Sequence, residues 1–331
     1  MIFLPNAALR LAAFLASLTL AGCFATEGPL GSGVTATAAV SRDPTLLVAT
    51  TRQPVGDPAQ RPWFSGQRGQ GLVFAEARLS PPDRSLTGRV TSVVTGDWSV
   101  AGIERMERGG AAEAFAQAAM GRDVLLYVHG YRESFESAAI SAAQLSDGIR
   151  FRGATALFAW PSTASTFNYV GDRESAMWSR DALEDLLTAA AGTPSGGRVH
   201  IVAHSMGTLL TLETLRMLRA TGGETAMSRI GSVVLAAPDI DIDLFTRSVE
   251  RLGEDAKKIT VISATNDRAL AVSSRLAGGV LRAGAAERER LESLGVRVAD
   301  ASEFASGIIN HDLFLSNKEV QQVVKRAIER G

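Results

Sequence analysis

Downstream of Arg122 the chain alternates short, nearly continuous apolar runs with longer segments in which apolar residues recur every three or four positions. A run of five or six apolar residues is buried on both faces, the condition of a parallel strand sandwiched between crossover helices; the amphipathic segments are those helices. This predicts strands at 124–128, 154–160, 199–203, 232–236, 259–264 and 296–299. Helices are expected at 133–148, 173–191, 206–220, 240–253, 268–276, 287–294 and 317–329. Upstream, β-branched or alternating runs at 45–51, 72–79 and 89–95 stand between Pro- and Gly-rich stretches and predict antiparallel strands at one sheet edge, with a short helix at 111–120 leading into the core. The expected architecture is one doubly wound α/β domain over residues 45–331, its sheet mostly parallel and its extra strands N-terminal.

Residues 1–22 follow a different pattern. Arg10 is followed by an unbroken small or apolar stretch from Leu11 to Gly22, too short for a permanent membrane span and typical of an export signal. It ends Leu20-Ala21-Gly22-Cys23, which resembles the lipobox of bacterial lipoproteins, in which the cysteine becomes the lipidated first residue. The resemblance implies acylation of Cys23, attachment to a membrane surface and a soluble body in the bacterial cell envelope. Residues 23–44, rich in Gly, Thr, Ala and Ser without periodicity, are expected to be a flexible tether.

Composition removes several kinds of chemistry. With 34 basic and 35 acidic side chains the net charge is -1, so there is no electrostatic footprint for nucleic acid. One cysteine and four histidines exclude a disulfide framework or an iron–sulfur cluster, and no His-Glu-x-x-His spacing offers a metal site. Neither a Gly-x4-Gly-Lys-Ser/Thr loop nor a Gly-x-Gly-x-x-Gly run is present. No cofactor is expected, and ordinary side chains must carry the chemistry.

The strand at 199–203 runs into Ala203-His204-Ser205-Met206-Gly207 and then directly into a helix. A serine nucleophile on a sharp strand-to-helix turn needs small residues two before and two after it, because strand and helix nearly touch there. Ala203 and Gly207 meet that need; the plain structural alternative is a serine capping an ordinary helix. A serine hydroxyl needs a base within hydrogen-bond reach. His200 lies five residues back along a strand, roughly 16 Å away at about 3.3 Å per residue. His204 is the immediate neighbour inside the turn and is expected to support it, and His129 sits beside Gly130 in a loop. His311, between the last strand and the last helix, remains as the base. A carboxylate should orient its ring, and both Asp267 and Asp239 lie at strand carboxyl ends. Oxyanion donors are expected from the backbone amides of Met206, which opens the helix, and Tyr131, in the loop after the first core strand.

Together, His129-Gly130-Tyr131, Trp160-Pro161-Ser162, Ala203-His204-Ser205-Met206-Gly207 and Ala237-Pro238-Asp239 resemble an α/β-hydrolase of the lipase/esterase type, in a bacterial branch without an assigned physiological role. The resemblance covers roughly residues 45–330. It implies the α/β-hydrolase fold and a chain order of nucleophile, acid and base, which Ser205, Asp267 and His311 follow; Asp239 is the alternative acid. The short connection 240–256 implies no separate cap domain and an open cleft. Phe167 and Tyr169, with Tyr131, Phe135 and Trp160, offer an apolar wall for an acyl or alcohol group, with Trp160 better read as core. The expected activity is hydrolysis of a small-molecule or lipid ester through an acyl-enzyme. An acyltransferase or amidase would use the same residues, and a silent envelope lipoprotein binding lipid or protein is the reading from another class.

Overall fold

Among the residues that the computed structural model describes (45–57, 60–82, 98–106, 117, 121–192, 197–304 and 311–331), nine strands form one sheet. They are β1 (Thr45–Pro54), β2 (Phe64–Ser80), β3 (Ser99–Arg105), β4 (Val124–Val128), β5 (Ala154–Ala159), β6 (Val199–His204), β7 (Ile230–Ala236), β8 (Ile259–Ser263) and β9 (Arg297–Asp300), in the spatial order β3-β2-β1-β5-β4-β6-β7-β8-β9. Every neighbouring pair from β1 across to β9 is parallel, and β2 alone runs the other way. The sheet and both cores lie within the compact unit Asp43–Gly331.

Side chains alternate across each strand, so the runs that are apolar throughout feed two cores at once. From β4, Leu126 and Val128 enter one core and Leu125 and Tyr127 the other. The first core is covered by α2 (Tyr169–Trp178), α3 (Arg180–Gly192), α4 (Met206–Ser228) and α5 (Ile242–Leu252), through residues such as Leu183, Leu210 and Phe245. The second is covered by α1 (Phe135–Ile149), α8 (Leu313–Ser316) and α9 (Lys318–Glu329), through Phe135, Phe314 and Val324. Two short helices, α6 (Arg268–Leu276) and α7 (Arg288–Glu292), fill the connection from β8 to β9.

The core strands and crossover helices match the apolar pattern closely, with three differences. First, β1 pairs antiparallel with β2, as its run predicts, but its other neighbour is β5 and that pairing is parallel. Leu46 to Arg52 are all buried, so β1 is an interior strand; burial is legible in a run, and the direction of a distant partner is not. Second, the helix expected at 173–191 is two helices that meet at Ser179, whose hydroxyl bonds Thr51 Oγ1 at 2.8 Å and the Ser175 carbonyl at 2.9 Å. A side-chain bond back to the preceding turn competes with the helix ladder. Third, α4 runs on to Ser228 through a kink at Gly223 (φ 59°). The signal, the tether, the strand expected at 89–95 and most of the helix at 111–120 lie outside the described residues.

Candidate active site

Parallel strands deliver their carboxyl ends to one edge of the sheet, and polar residues gather there. Ser205 follows β6 with φ 48° and ψ -119°, a left-handed conformation that a non-glycine residue adopts at a cost of about 1–3 kcal/mol. The turn is held on all sides: the Ser205 N–H donates to the Ala236 carbonyl at 2.9 Å, and its own carbonyl accepts from the amides of Thr208 (3.0 Å) and Asp239 (3.3 Å). A Cβ on Gly207 would stand 2.3 Å from the His129 carbonyl oxygen, so α4 starts against the end of β4 at a distance only glycine permits. Ala203, the other small residue, is fully buried.

The loop after β4 crosses the same point. A Cβ on Gly130 would lie 2.8 Å from His204 Nδ1 and 3.1 Å from Ser205 Cβ, so residues 130–131 pass directly over the serine turn. The Tyr131 hydroxyl donates to the Ser165 carbonyl at 2.8 Å and its ring stands edge-on to Tyr169 with centroids 5.4 Å apart. Met206 opens α4 and is fully buried.

His311 and Asp267 come together from opposite ends of the connection that carries α6, β9 and the loop beyond. His311 Nδ1 donates to Asp267 Oδ2 at 2.8 Å, with the carboxylate buried and the imidazole 16 % exposed. The other oxygen of Asp267 accepts from the amides of Ala269 (2.8 Å) and Leu270 (3.2 Å), capping α6. The carboxylate is thereby fixed in orientation by a helix and presents one oxygen to one ring nitrogen. Burial works against its charge, yet the bond to His311 and the two amides together hold its pKa below the ordinary aspartate value. Burial likewise works against an imidazolium, but the bond to Asp267 and the charges of Asp267, Asp312 and Asp239 prevail and raise His311 above the usual histidine value.

Asp239 is engaged elsewhere. It is buried with Arg282, whose Nε lies 3.1 Å from Oδ1; the Ser273 hydroxyl donates to the same oxygen, and the Tyr169 hydroxyl donates to Oδ2 at 2.8 Å. The geometry therefore brings Asp267, rather than Asp239, to His311, and leaves Asp239 joined to the serine turn through its backbone amide.

With this arrangement described, the sequence can be set beside known proteins. A family profile described as alpha/beta hydrolase of unknown function (DUF900) matches residues 111–327. The chain belongs to this family. Its fold is the α/β-hydrolase fold, with additional N-terminal strands. No curated protein matches the sequence. Among solved structures, an uncharacterized protein from Bacillus cereus ATCC 10987 is similar at 15 % identity and TM-score 0.41, covering 63 % of this chain and 59 % of that one. A predicted CIB-like hydrolase from Thermoplasma acidophilum is similar at 13 % identity and TM-score 0.36, covering 77 % and 91 %. The catalytic core domain of acetyl xylan esterase from Trichoderma reesei is similar at 13 % identity and TM-score 0.37, covering 63 % and 97 %.

Other residues shape the site of this α/β hydrolase without any signal in a spacing rule. His204, expected to brace its own turn, instead reaches across to the His311 segment: its Nε2 donates to the His311 carbonyl at 3.1 Å, and Asp312 Oδ1 lies 3.4 Å from the same nitrogen. Burial and the neighbouring His311 lower its pKa to about 4, so the ring is neutral at ordinary pH with its proton on Nε2. Arg52, a cation at the end of β1 and 1 % exposed, donates to the carbonyls of Glu133 (2.7 Å), Ser162 (3.1 Å) and Ser65 (3.4 Å). It ties the loop after β4 to the loop after β5, and burial lowers its pKa only to about 10, leaving it charged. His129 lies flat on Trp160, with Trp160 Nε1 donating to the His129 carbonyl at 2.8 Å. The only clue to Arg52 in the sequence is a charge closing the apolar run Leu46-Leu47-Val48-Ala49.

The aromatic residues divide. Trp160 and Phe135 are fully buried core, the latter packed on Phe64 at 4.8 Å, while Tyr131 and Tyr169 line the strand-end face and Phe167 projects into solvent. His200 is a core residue that accepts from the Ser232 amide at 3.1 Å.

Proposed function

We propose that this protein is a serine hydrolase of carboxylic esters, with Ser205 as nucleophile, His311 as base and Asp267 as the acid that orients it. The observation that carries the reading is the 2.8 Å bond between His311 Nδ1 and Asp267 Oδ2, on a ring whose backbone is bound to His204, the residue next to the strained Ser205. A ring held by its Nδ1 presents Nε2 as a proton acceptor. In the reaction, Ser205 Oγ attacks the ester carbonyl carbon and passes its proton to His311 Nε2. The resulting oxyanion is met by the amides of Met206 and Tyr131. Collapse of the tetrahedral intermediate expels the alcohol with the proton from His311, and a water molecule, deprotonated by the same ring, releases the acid from the acyl-serine. Asp267 stabilises the imidazolium at each stage without taking its proton.

The pair Tyr131 and Tyr169 suits an apolar acyl or alcohol group beside the serine. Cys23 is proposed as the acylated anchor that holds the hydrolase to a membrane of the bacterial envelope; among the described residues no helix is long and apolar enough to cross one. A fluorophosphonate probe is expected to label the wild-type protein and not Ser205→Ala, and short-chain chromogenic esters to be hydrolysed only by the former. Equal labelling of the two would overturn the assignment of the nucleophile. Incorporation of labelled palmitate is expected in the wild-type chain and not in Cys23→Ser.

A further inference from the structure

Among the described residues, the large apolar side chains that stand exposed, Trp178 apart, lie in two segments beside the site. Phe167 is 97 % exposed and Val170 69 %, in the segment after β5; Leu276 is 64 % exposed and Val272 53 %, on the outer face of α6, followed by Leu281. The two segments are joined across the strand ends by Tyr169, whose hydroxyl lies 3.1 Å from Ser273 Oγ on the inner face of α6 and donates to Asp239, which bonds the carbonyl of Ser205 through its amide. The first segment is also fixed to the loop that crosses the serine turn, through Tyr131 and the Ser165 carbonyl. The exposed apolar groups therefore form a collar at the strand-end edge, in two segments that Tyr169 joins beside the serine turn.

On the α6 side the charges have one sign: from 268 to 286 the charged residues are Arg268, Arg275 and Arg282 alone, whereas beyond Val170 the first exposed charge is Glu174, one turn along α2. Arg282 is buried against Asp239, which leaves Arg268 and Arg275 exposed beside Val272 and Leu276 with no carboxylate between them. An apolar face edged by arginines is the composition of segments that rest in the headgroup region of an anionic bilayer, where arginine meets phosphate and the apolar groups enter the acyl boundary.

We propose that this collar docks the mouth of the active site onto an anionic lipid surface, so that the esters cleaved are those presented by that surface. The choice of substrate rests on the reading of Ser205 as an ester-cleaving nucleophile; the docking does not. The test uses residues 24–331, which retain the whole folded unit and lack Cys23, so that no acyl anchor contributes. Co-sedimentation is measured with vesicles of phosphatidylcholine alone and of phosphatidylcholine with phosphatidylglycerol, and hydrolysis of a water-soluble short-chain ester is followed in parallel as a report on Ser205 chemistry alone. Binding is expected to the anionic vesicles and to be at least tenfold weaker to the neutral ones. Phe167→Ser with Leu276→Ser should weaken anionic-vesicle binding at least tenfold, Arg268→Gln with Arg275→Gln should remove the preference for phosphatidylglycerol, and Ser205→Ala should bind like the wild type. Absence of vesicle binding, equal binding to both vesicles, or full binding by the Phe167→Ser, Leu276→Ser protein would overturn the proposal. A protein that binds vesicles but hydrolyses no soluble ester would instead count against the reading of Ser205 and leave the docking surface standing.

Discussion

The ring of His204 carries the backbone of His311: Nε2 donates to the His311 carbonyl at 3.1 Å, and the two imidazoles lie 4.7 Å apart. The residue beside the proposed nucleophile thus holds the residue proposed as its base, through a hydrogen bond between segments 107 residues apart. A base displaced by about 1 Å loses up to roughly 10²-fold in rate. His204→Phe keeps a ring against Phe314, itself 4.9 Å away, and removes the donor. It is expected to lower kcat with little change in KM, as measured on a soluble ester, and a variant with unchanged kcat would show that the bond does not set the position of His311.

The two candidate acids should fail in different ways. Asp267→Asn leaves the volume and the cap of α6 largely in place but withdraws the charge that favours the imidazolium, and should lower kcat by on the order of 10³–10⁴ with a small change in stability. Asp239→Asn leaves the guanidinium of Arg282 buried without its counter-charge, which costs about 3–5 kcal/mol. Its signature is a lower Tm in thermal unfolding rather than a loss of rate in the protein that remains folded.

The pH dependence follows from the two shifts in the Asp267–His311 pair. Because His311 must be neutral to accept a proton and its pKa is raised, activity is expected to climb with pH through a midpoint above about 6.5, the ordinary value for histidine. In Asp267→Asn the midpoint should fall, since the bond and charge that raise it are gone. The contribution of His311 to stability moves in the opposite sense. The raised His311 stabilises the folded state fully below about 6.5 and loses that contribution as pH rises through its folded value; the lowered Asp267 contributes above about 4 and loses its share as pH falls through its folded value. Thermal unfolding across pH 3–9 should therefore show the pair contributing most between these limits, and a pair contribution that grew above pH 7 would contradict the assignment.

Arg52 should act at a distance on the oxyanion donors. Its bonds to the carbonyls of Glu133 and Ser162 hold the loop that carries the Tyr131 amide. Loss of one oxyanion donor costs about 10²–10³ in kcat, which is the upper limit expected for Arg52→Met if the loop moves away. Arg52→Lys retains the charge but cannot reach three carbonyls with one ammonium, and should recover stability more than it recovers kcat. Equal recovery of both would mark Arg52 as a packing residue only.

How much of this was legible beforehand depends on distance along the chain. The runs Val124–Val128, Ile259–Ser263 and the periodicity of Lys318–Glu329 encode burial directly, because a strand buried on both faces must be apolar throughout and a helix packed on one side must repeat every three to four residues. The elbow was equally readable: the closeness of strand and helix that demands Gly207 is a local consequence of a sharp turn. The sequence by itself therefore determined the α/β order, the place of Ser205 and the short list of candidate groups around it.

Tertiary structure alone decided which of those groups meet. Asp239 and Asp267 both end apolar strands and look alike in one dimension; that one pairs with Arg282 and the other with His311 follows from where α6 and the segment before α8 return to the sheet. The parallel alignment of β1 with β5, the reach of Arg52 to two distant loops and the bond from His204 to His311 are likewise contacts between residues 81 to 110 positions apart, counting from Arg52 to Glu133 and to Ser162. Local propensity is a property of neighbours in the chain, whereas a hydrogen bond across the sheet edge requires the entire sheet to be in register first.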